Sequence, residues 1–182
     1  MKKNEEKSSS NKGDKVQNLS NYAAIDKIKE LVKHNSICMF VTHLEDLPLE
    51  SRPMSVAQVD DEGNMWFISG KSTTKNQEIS TDPRVQLFFS NVSDQEYLTV
   101  YGTAGEVDDK AKLKEVWTPI AKAWFEGGID DPDVSLLKVQ PEDAFYWDTK
   151  NGRMISLIKI LASAVVGKTI EEGVQGNLKI QK

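Results

Sequence analysis

The sequence is poor in the residues that build metal or disulfide sites. Its 182 residues include one cysteine, Cys38, and two histidines, His34 and His43. One cysteine cannot close a disulfide within the chain, and the three residues together offer no zinc ligand cluster. Cys38 lies in the apolar run ICMFV, which favours a buried small hydrophobe over a reactive thiol. We therefore expect no metal site.

Excess positive charge and long apolar runs are also missing. The net charge is -5 and the pI is about 5.2, which argues against a nucleic-acid partner, although a local cationic site for a small anion stays open. No stretch approaches the roughly 20 apolar residues of a membrane helix. The N-terminal MKKNEEKSSSNKGDKVQ has no apolar core of the kind that secretory signals carry. We expect a cytoplasmic protein without a membrane partner.

The composition predicts one central domain between two tails. Residues 1–19 are too polar to bury a core and predict a disordered N-terminal tail, residues 20–166 form the domain, and residues 167–182 form a C-terminal tail. Apolar spacing predicts helices at 21–34, 72–80 and 108–125, the last with a break at Pro119. Segments rich in β-formers predict strands at 36–44, 52–59, 64–69, 85–91 and 97–107, followed by VSLLKVQPEDAFYWD and RMISLIKILASAVVG, with a helical finish of the last left open.

Tight turns, rather than helices, join most of these strands. DDEG at 60–63 predicts a hairpin because Gly63 can adopt a positive φ, and DPR at 82–84 ends a helix and opens a strand. A doubly wound α/β fold needs ten or more residues between successive strands, and only a turn fits between 59 and 64. The pattern indicates a closed or partly closed antiparallel barrel.

The string Gly70-Lys71-Ser72 follows a strand and looks like half of a P-loop. That motif needs a second glycine five residues before Gly70, where Met65 stands. We therefore exclude a nucleotide triphosphate site of this kind. The stretch SGKSTTK still leads into a helix start with hydroxyl and lysine side chains, which suits a single phosphate.

Arg52 is the expected partner of this stretch. A hairpin centred on 61–62 or 62–63 would place Arg52 opposite residue 71 or 73, where its guanidinium could fork onto phosphate oxygens. The alternative is a solvated arginine with ordinary surface lysines at the end of a hairpin. Spacing alone does not choose between the two.

Several segments together resemble a known family. RPMSVAQ, WFISGKSTTKNQEI, VQLFFSN, YLTVYGTAGEV and YWDTKNGRM are similar, in order and spacing, to the pyridoxamine 5'-phosphate oxidase-like split-barrel flavoproteins, and particularly to their bacterial general stress protein subgroup. The likeness spans about 21–166. It implies a mainly β fold with peripheral helices, namely an FMN-binding split β-barrel of six or so antiparallel strands of Greek-key type. It also implies a homodimer with FMN sites at the interface.

The resemblance assigns cofactor-binding roles by position. Arg52 and Lys75 would bind the FMN phosphate, with Ser69 and Thr74 as hydroxyl donors, and Trp147 would approach the flavin from the partner subunit. The isoalloxazine would lie along the run from 53 to 57 and against β-strand residues 67 and 68. The implied set is Arg52, Pro53, Met54, Ser55, Val56, Ala57, Phe67, Ile68, Ser69, Thr74, Lys75 and Trp147.

The implied activity is that of a flavin-dependent oxidoreductase of unknown substrate, with NAD(P)H or another small reductant as electron donor. The alternatives are a non-catalytic protein that binds or stores flavin, and a binder of FAD, another phosphorylated cofactor or haem on the same barrel. No catalytic residue is assigned. The oxidase proper has Arg-x-His after the tryptophan, whereas this chain has Arg153-Met154-Ile155, which argues against vitamin B6 oxidation.

Overall fold

Nine strands and three α-helices account for most of residues 19–20, 22–148 and 174–179, which the computed structural model describes. The elements are β1 (Leu19–Ser20), α1 (Tyr22–His34), β2 (Ile37–Thr42), β3 (Glu50–Ser55), β4 (Gln58–Val59), β5 (Met65–Gly70), α2 (Thr74–Thr81), β6 (Arg84–Asn91), β7 (Glu96–Glu106), α3 (Lys110–Val116), β8 (Val134–Asp148) and β9 (Val174–Lys179). Two short 3₁₀ helices, Pro119–Ala123 and Gly128–Asp130, lie between α3 and β8. None of the helices described has the length and apolar composition needed to cross a membrane.

The strands form one antiparallel sheet that curls into a split barrel. The strand order is β3-β2-β6-β7-β8, and the other edge of β8 pairs with two further strands. The first half of β8 pairs with β5, while its last residues pair with β9. Among the strands within the described ranges, β1 and β9 form the one parallel pair. The mainly β split-barrel prediction is confirmed, with peripheral helices as expected.

One continuous segment, residues 50–59, closes the barrel. Its first part is β3, which pairs with β2, and its last part is β4, which pairs with β5 at the other edge of the sheet. At the bend, Val56 N donates to Ser36 O at 2.9 Å and Ala57 N donates to Trp66 O at 2.8 Å. The backbone of the segment therefore stays hydrogen-bonded while it changes partners, as at the corners of orthogonal β structures.

This bend overturns the predicted register of Arg52. The hairpin exists, and Gly63 has φ 84°, but its ladder stops at Gln58 opposite Trp66. Arg52 lies opposite Phe40 of β2 rather than opposite residue 71 or 73. The single strand predicted for 52–59 is likewise wrong, because its two halves have different partners.

The helices end where proline or the start of a strand requires it. α2 ends at Thr81, before Asp82-Pro83, and β6 begins at Arg84, as DPR predicted. The helix predicted for 108–125 is two pieces, since α3 ends at Val116 and a 3₁₀ helix begins at Pro119.

The segment RMISLIKILASAVVG and residues 153–155 lie outside the described residues. β9 falls within the stretch that composition assigned to a C-terminal tail.

The barrel interior is apolar and is closed on one side by helix α1. The buried cluster joins Ile28 and Leu31 of α1 to residues from nearly every long strand. Phe40 and Phe67 meet inside it, with ring centroids 5.3 Å apart at an interplanar angle of 89°. Edge-to-face packing of this kind fixes the relative position of β2 and β5, from which the polar residues described below project.

A close approach between β7 and β8 explains one glycine and carries a prediction. The register of the two strands shifts at Tyr101/Gly102, and a Cβ on Gly102 would lie 2.2 Å from the carbonyl oxygen of Gln140. We expect Gly102→Ala to lower the free energy of unfolding by about 1–3 kcal/mol, because the backbone must move apart. Gly105→Ala is the matched control, since nothing lies within 4 Å of its Cβ position. Equal denaturation midpoints for the two variants would contradict this account.

Candidate functional site

The side chain of Lys75, in the first turn of α2, is buried although it carries an ammonium group. Lys75 is only 6% exposed. Nζ donates to Ser69 Oγ, to Asn76 Oδ1 at 3.1 Å and to Thr73 Oγ1 at 3.3 Å. These partners are neutral, and no carboxylate in the described part of the chain forms an ion pair with Lys75. Burial and the nearby charge of Arg52 lower the pKa of Lys75 to about 8, against a smaller opposing effect of Glu78.

Neutral side chains behind Lys75 hold these oxygens in place. Ser69 Oγ donates to Asn76 Oδ1 at 2.8 Å, and Asn76 Nδ2 donates to Ser135 Oγ at 2.9 Å. Asn76 Nδ2 also lies 3.3 Å from a carboxylate oxygen of Glu106. The network therefore orients the acceptors that surround the ammonium without supplying it with a close counter-charge.

Arg52 presents a second cation to the same region. It projects from β3 towards α2, where its Nη2 lies 3.0 Å from Glu78 Oε2, while its Nη1 donates to Thr42 Oγ1. Burial works to raise the pKa of Glu78, but hydrogen bonds with Thr42 and with Glu50 and the charge of Arg52 hold it below its usual range. Glu78 is therefore a buried carboxylate that stays ionised and anchors the guanidinium. Lys75 and Glu78 are three residues apart, which places them on one face of α2.

The Gly-Lys-Ser loop that precedes α2 is hydrogen-bonded to Asp133. Asp133, just before β8, accepts from Ser72 N at 2.8 Å and from Ser72 Oγ at 3.1 Å, and its carbonyl accepts from Lys71 N at 2.7 Å. A Cβ on Gly70 would lie 2.6 Å from Asp133 Oδ2. Glycine leaves room there for this carboxylate. The amides of Lys71 and Ser72 already donate to Asp133, so they are not available to cradle a triphosphate. The exclusion of a P-loop is consistent with this geometry.

The remaining predicted residues, at 53–57, 67–69 and 74, divide between four environments. Val56 and Phe67 are buried in the barrel core, and Met54 packs against it. Ala57 and Ile68 pack against a smaller cluster around Trp66 on the outside of the barrel. Pro53, Ser55 and Thr74 are exposed, whereas Ser69 is buried against Lys75. The structure thus brings Arg52, Ser69, Lys75 and the start of α2 together, but the side chains of 53–57 and 67–68 do not form one continuous wall.

Trp147 and the Lys75 network lie towards opposite ends of β8. It is near the end of β8, 42% exposed, with its ring 4.5 Å from that of Phe145. Ser69, which bonds Lys75, lies opposite Ser135 near the start of β8, and Trp147 is twelve residues further along that strand, about 40 Å at the usual rise of an extended strand. Within one subunit, Trp147 therefore lies towards the opposite end of β8 from the Lys75 network.

An exposed apolar surface covers the outer face of the same sheet. We call it the outer-face patch; it runs across β3, β2, β6, β7 and β8 and consists of Ile37, Met39, Pro53, Phe88, Tyr97, Phe145 and Trp147. Register joins its members, since Met39 lies opposite both Pro53 and Phe88, and Tyr97 lies opposite Trp147. A contiguous patch of this kind on a sheet face is typical of a protein contact.

Neither histidine forms a hydrogen bond or ion pair with Lys75 or Arg52 in the part of the chain that the structure describes. His34 Nδ1 lies 2.9 Å from Glu96 Oε2, and His43, with φ 51°, has Asp46 at 3.9 Å. Within the described ranges, no group of three or more His, Cys, Asp and Glu residues is placed to hold a metal ion.

Sequence reasoning missed the groups that support the two cations. Glu78, Thr42, Asn76 and Glu50 were not singled out. A helical projection of 74–81 could have placed Glu78 beside Lys75, but nothing local connects Thr42 to either residue, because that contact depends on how β2 meets α2.

Fold and site define a class: this is a split antiparallel β-barrel in which a buried lysine and an arginine converge where α2 packs against the barrel. A model of the "Pyridoxamine 5'-phosphate oxidase like" family matches residues 23–171. The chain therefore belongs to that family.

Known relatives carry stress-protein names. General stress protein 26 of Bacillus subtilis is 27% identical over 121 residues, which cover 64% of this chain and 83% of that protein. The solved structure of a protein assigned as general stress protein 26 from Jannaschia sp. CCS1 is 28% identical, has a TM-score of 0.70, and covers 87% of this chain and 96% of its own. The general stress FMN/FAD binding protein of Xanthomonas citri is 26% identical with a TM-score of 0.59, covering 69% and 87%.

Proposed function

We propose that this protein binds FMN, with the flavin phosphate between Lys75 and Arg52, and that it acts as a flavin-dependent oxidoreductase. The buried ammonium of Lys75, which has neutral hydrogen-bond partners and faces Arg52, carries the proposal. A buried cation without a carboxylate partner is costly unless an anion can approach it. A phosphate monoester fits, because its oxygens accept from both lysine and arginine.

The other predicted residues take places around this anchor. Ser69, which already accepts from Lys75, would turn its hydroxyl towards the phosphate, and exposed Thr74 at the start of α2 would add a second hydroxyl. The bent segment from Pro53 to Ala57 would line the isoalloxazine with backbone groups, with Ile68 beside it. Phe67 would support this wall from the core, where it packs on Phe40.

A homodimer completes the proposed site. Trp147 follows Ser135, the partner of Ser69, by twelve residues along β8, so it would reach the flavin from a second copy rather than from its own chain. The outer-face patch supplies an apolar surface on which a second copy could pack. Subunits related by a twofold axis would use the same patch on both sides and form two equivalent sites.

When bound, FMN supplies the electron-transfer chemistry, and the protein supplies binding and orientation. The chain's own residues hold the phosphate, line the ring and, through Trp147 of the second copy, limit access of water to it. The names of relatives, including an FMN/FAD binding protein of Xanthomonas citri, support flavin as the ligand. We place the protein in the cytoplasm, with NAD(P)H or another small reductant as the electron donor.

Flavin titration tests the proposal. Purified protein should show flavin absorption bands or acquire them on addition of FMN, and riboflavin, which lacks the phosphate, should bind more weakly. Loss of the bands on anaerobic addition of NADH or NADPH would support an oxidoreductase. Bands that persist with every reductant would favour flavin storage instead, and absence of any FMN uptake would contradict the whole proposal.

A further inference from the structure

The guanidinium of Arg52 already donates to three side chains through Nη1 and Nη2. Nη1 donates to Thr42 Oγ1, while Nη2 has two carboxylate contacts, Glu78 Oε2 at 3.0 Å and Glu50 Oε2 at 3.4 Å. The two hydrogens of Nη2 are therefore both directed at carboxylates. A phosphate that takes a two-point hold on Arg52 through Nε and Nη2 must replace one of them.

The two carboxylates differ in how firmly they are held. The side chain of Glu78 is 5% exposed and is also bonded by Thr42, which is fully buried. The side chain of Glu50 is 56% exposed, and its contact with Nη2 is the longer of the two. Removing a partner from a buried pair costs several kcal/mol, whereas an exposed pair contributes about 0.2–1 kcal/mol. Exchange with a ligand is therefore far cheaper at Glu50.

We propose that Glu50 is an internal competitor that a ligand phosphate displaces from Arg52, while Glu78 is a positioning residue that keeps the guanidinium in place. This inference rests on the proposed phosphate site. Glu50 and Arg52 are two residues apart on β3 and share one face of the strand, so Glu50 can swing towards solvent without moving the backbone. When Glu50 moves away, Lys75 and Arg52 share one carboxylate, Glu78. One Nη2 hydrogen of Arg52 is then available to the phosphate together with Nε.

The inference predicts opposite effects for two glutamate-to-glutamine changes on the same arginine. Glu50→Gln should tighten FMN binding about two- to fivefold, because the competing charge is lost. Glu78→Gln should weaken it about tenfold or more, because Arg52 loses its charged anchor. Riboflavin affinity should be the same in both variants as in the wild type, because riboflavin has no phosphate to bind Arg52. Fluorescence titration of flavin measures all six dissociation constants, for two ligands and three proteins.

Two controls separate the local competition from a general change of net charge. Glu30→Gln removes one charge from a carboxylate of similar exposure, 52%, which pairs with Lys27 on α1, and it should leave FMN affinity unchanged. In an Arg52→Ala background, Glu50→Gln should no longer tighten FMN, because the competitor has lost its target. This second cycle does not depend on whether Glu78→Gln folds.

The outcomes distinguish this inference from the proposed function. If the wild type takes up no FMN, both are overturned. If FMN binds and Arg52→Ala weakens it, but Glu50→Gln leaves the affinity unchanged or lowers it, the phosphate site stands and the competition is overturned. Equal tightening by Glu50→Gln and Glu30→Gln would also overturn it, since the effect would then come from overall charge.

Discussion

Lys75→Met is expected to weaken FMN binding by about 10- to 100-fold while making the ligand-free protein more stable. The loss of affinity follows from removing a charged donor to the phosphate, for which hydrogen bonds contribute about 1.5–3 kcal/mol. The gain in stability follows because the folded state no longer buries an ammonium group among neutral partners. Methionine has a similar length and can occupy the apolar part of the same space.

The stability gain should depend on pH. The pKa of Lys75 in the folded protein is about 8, below the 10.5 of an unperturbed lysine, so the unfolded chain binds more protons between these two values. The free energy of unfolding of the wild type therefore rises across that interval, by no more than about 3 kcal/mol from this group. Lys75→Met should show its full advantage below pH 8 and lose it as pH approaches 10.5. Thermal denaturation of both proteins without flavin, at a series of pH values, measures this.

Deprotonation of Lys75 should lower the affinity for FMN, although it raises the stability of the flavin-free protein. Above pH 8 the wild type loses the charge on Lys75, so its affinity for FMN should fall, whereas Lys75→Met should show no such step. Lys71→Met, an exposed lysine in the preceding loop, is the matched control and should change neither stability nor affinity. Equal FMN affinity in the wild type and both variants would show that the phosphate lies elsewhere. A lower denaturation midpoint for Lys75→Met than for the wild type would contradict the burial argument.

Phe88→Glu is expected to convert the proposed homodimer into a 20.4 kDa monomer. Phe88 lies in the middle of the outer-face patch, opposite Met39 on one side and Thr99 on the other. A charge buried there without a partner costs about 3–5 kcal/mol, which corresponds to at least a 100-fold increase in the dimer dissociation constant. The fold should survive, because the side chain is 44% exposed in one subunit. Size-exclusion chromatography with light scattering measures the mass.

The same variant should lose FMN affinity although Phe88 does not contact Arg52 or Lys75. The reason is that Trp147 would no longer arrive from the second copy. Ile120→Glu is the matched control, since Ile120 is exposed on the 3₁₀ helix after α3 and is not part of the patch. A wild-type monomer, or a Phe88→Glu dimer, would contradict the use of this surface. A monomeric variant with unchanged FMN affinity would place Trp147 outside the site.

Local sequence signals were sufficient for most elements of the fold. Apolar spacing located α1 to within one residue, and Asp82-Pro83 located the boundary between α2 and β6. Gly63 marked a hairpin turn that does adopt a positive φ. These features depend on backbone preferences and on neighbours within a few residues, which the sequence contains directly. The order and spacing of five such segments were enough to indicate the family.

Contacts between distant segments decided the rest. The chain bends at Val56 and Ala57 and changes partners from β2 to β5, so the position of Arg52 depends on closure of the barrel and not on the hairpin. The same closure brings Thr42, Glu78 and Arg52 into one hydrogen-bonded group, although they are up to 36 residues apart. Burial of Lys75 likewise depends on how α2 packs, and its lowered pKa follows from that burial.

The sequence by itself therefore indicated the family and most of the elements, and it singled out the two cations, Arg52 and Lys75, as candidates. Only the tertiary structure decided which carboxylates accompany them, that the Gly-Lys-Ser loop is held by Asp133, and that Trp147 and the Lys75 network lie towards opposite ends of β8. The physical reason is that charge type and backbone preference belong to single residues and their neighbours. Burial, counter-charges and the pKa depend on segments that meet only when the sheet closes.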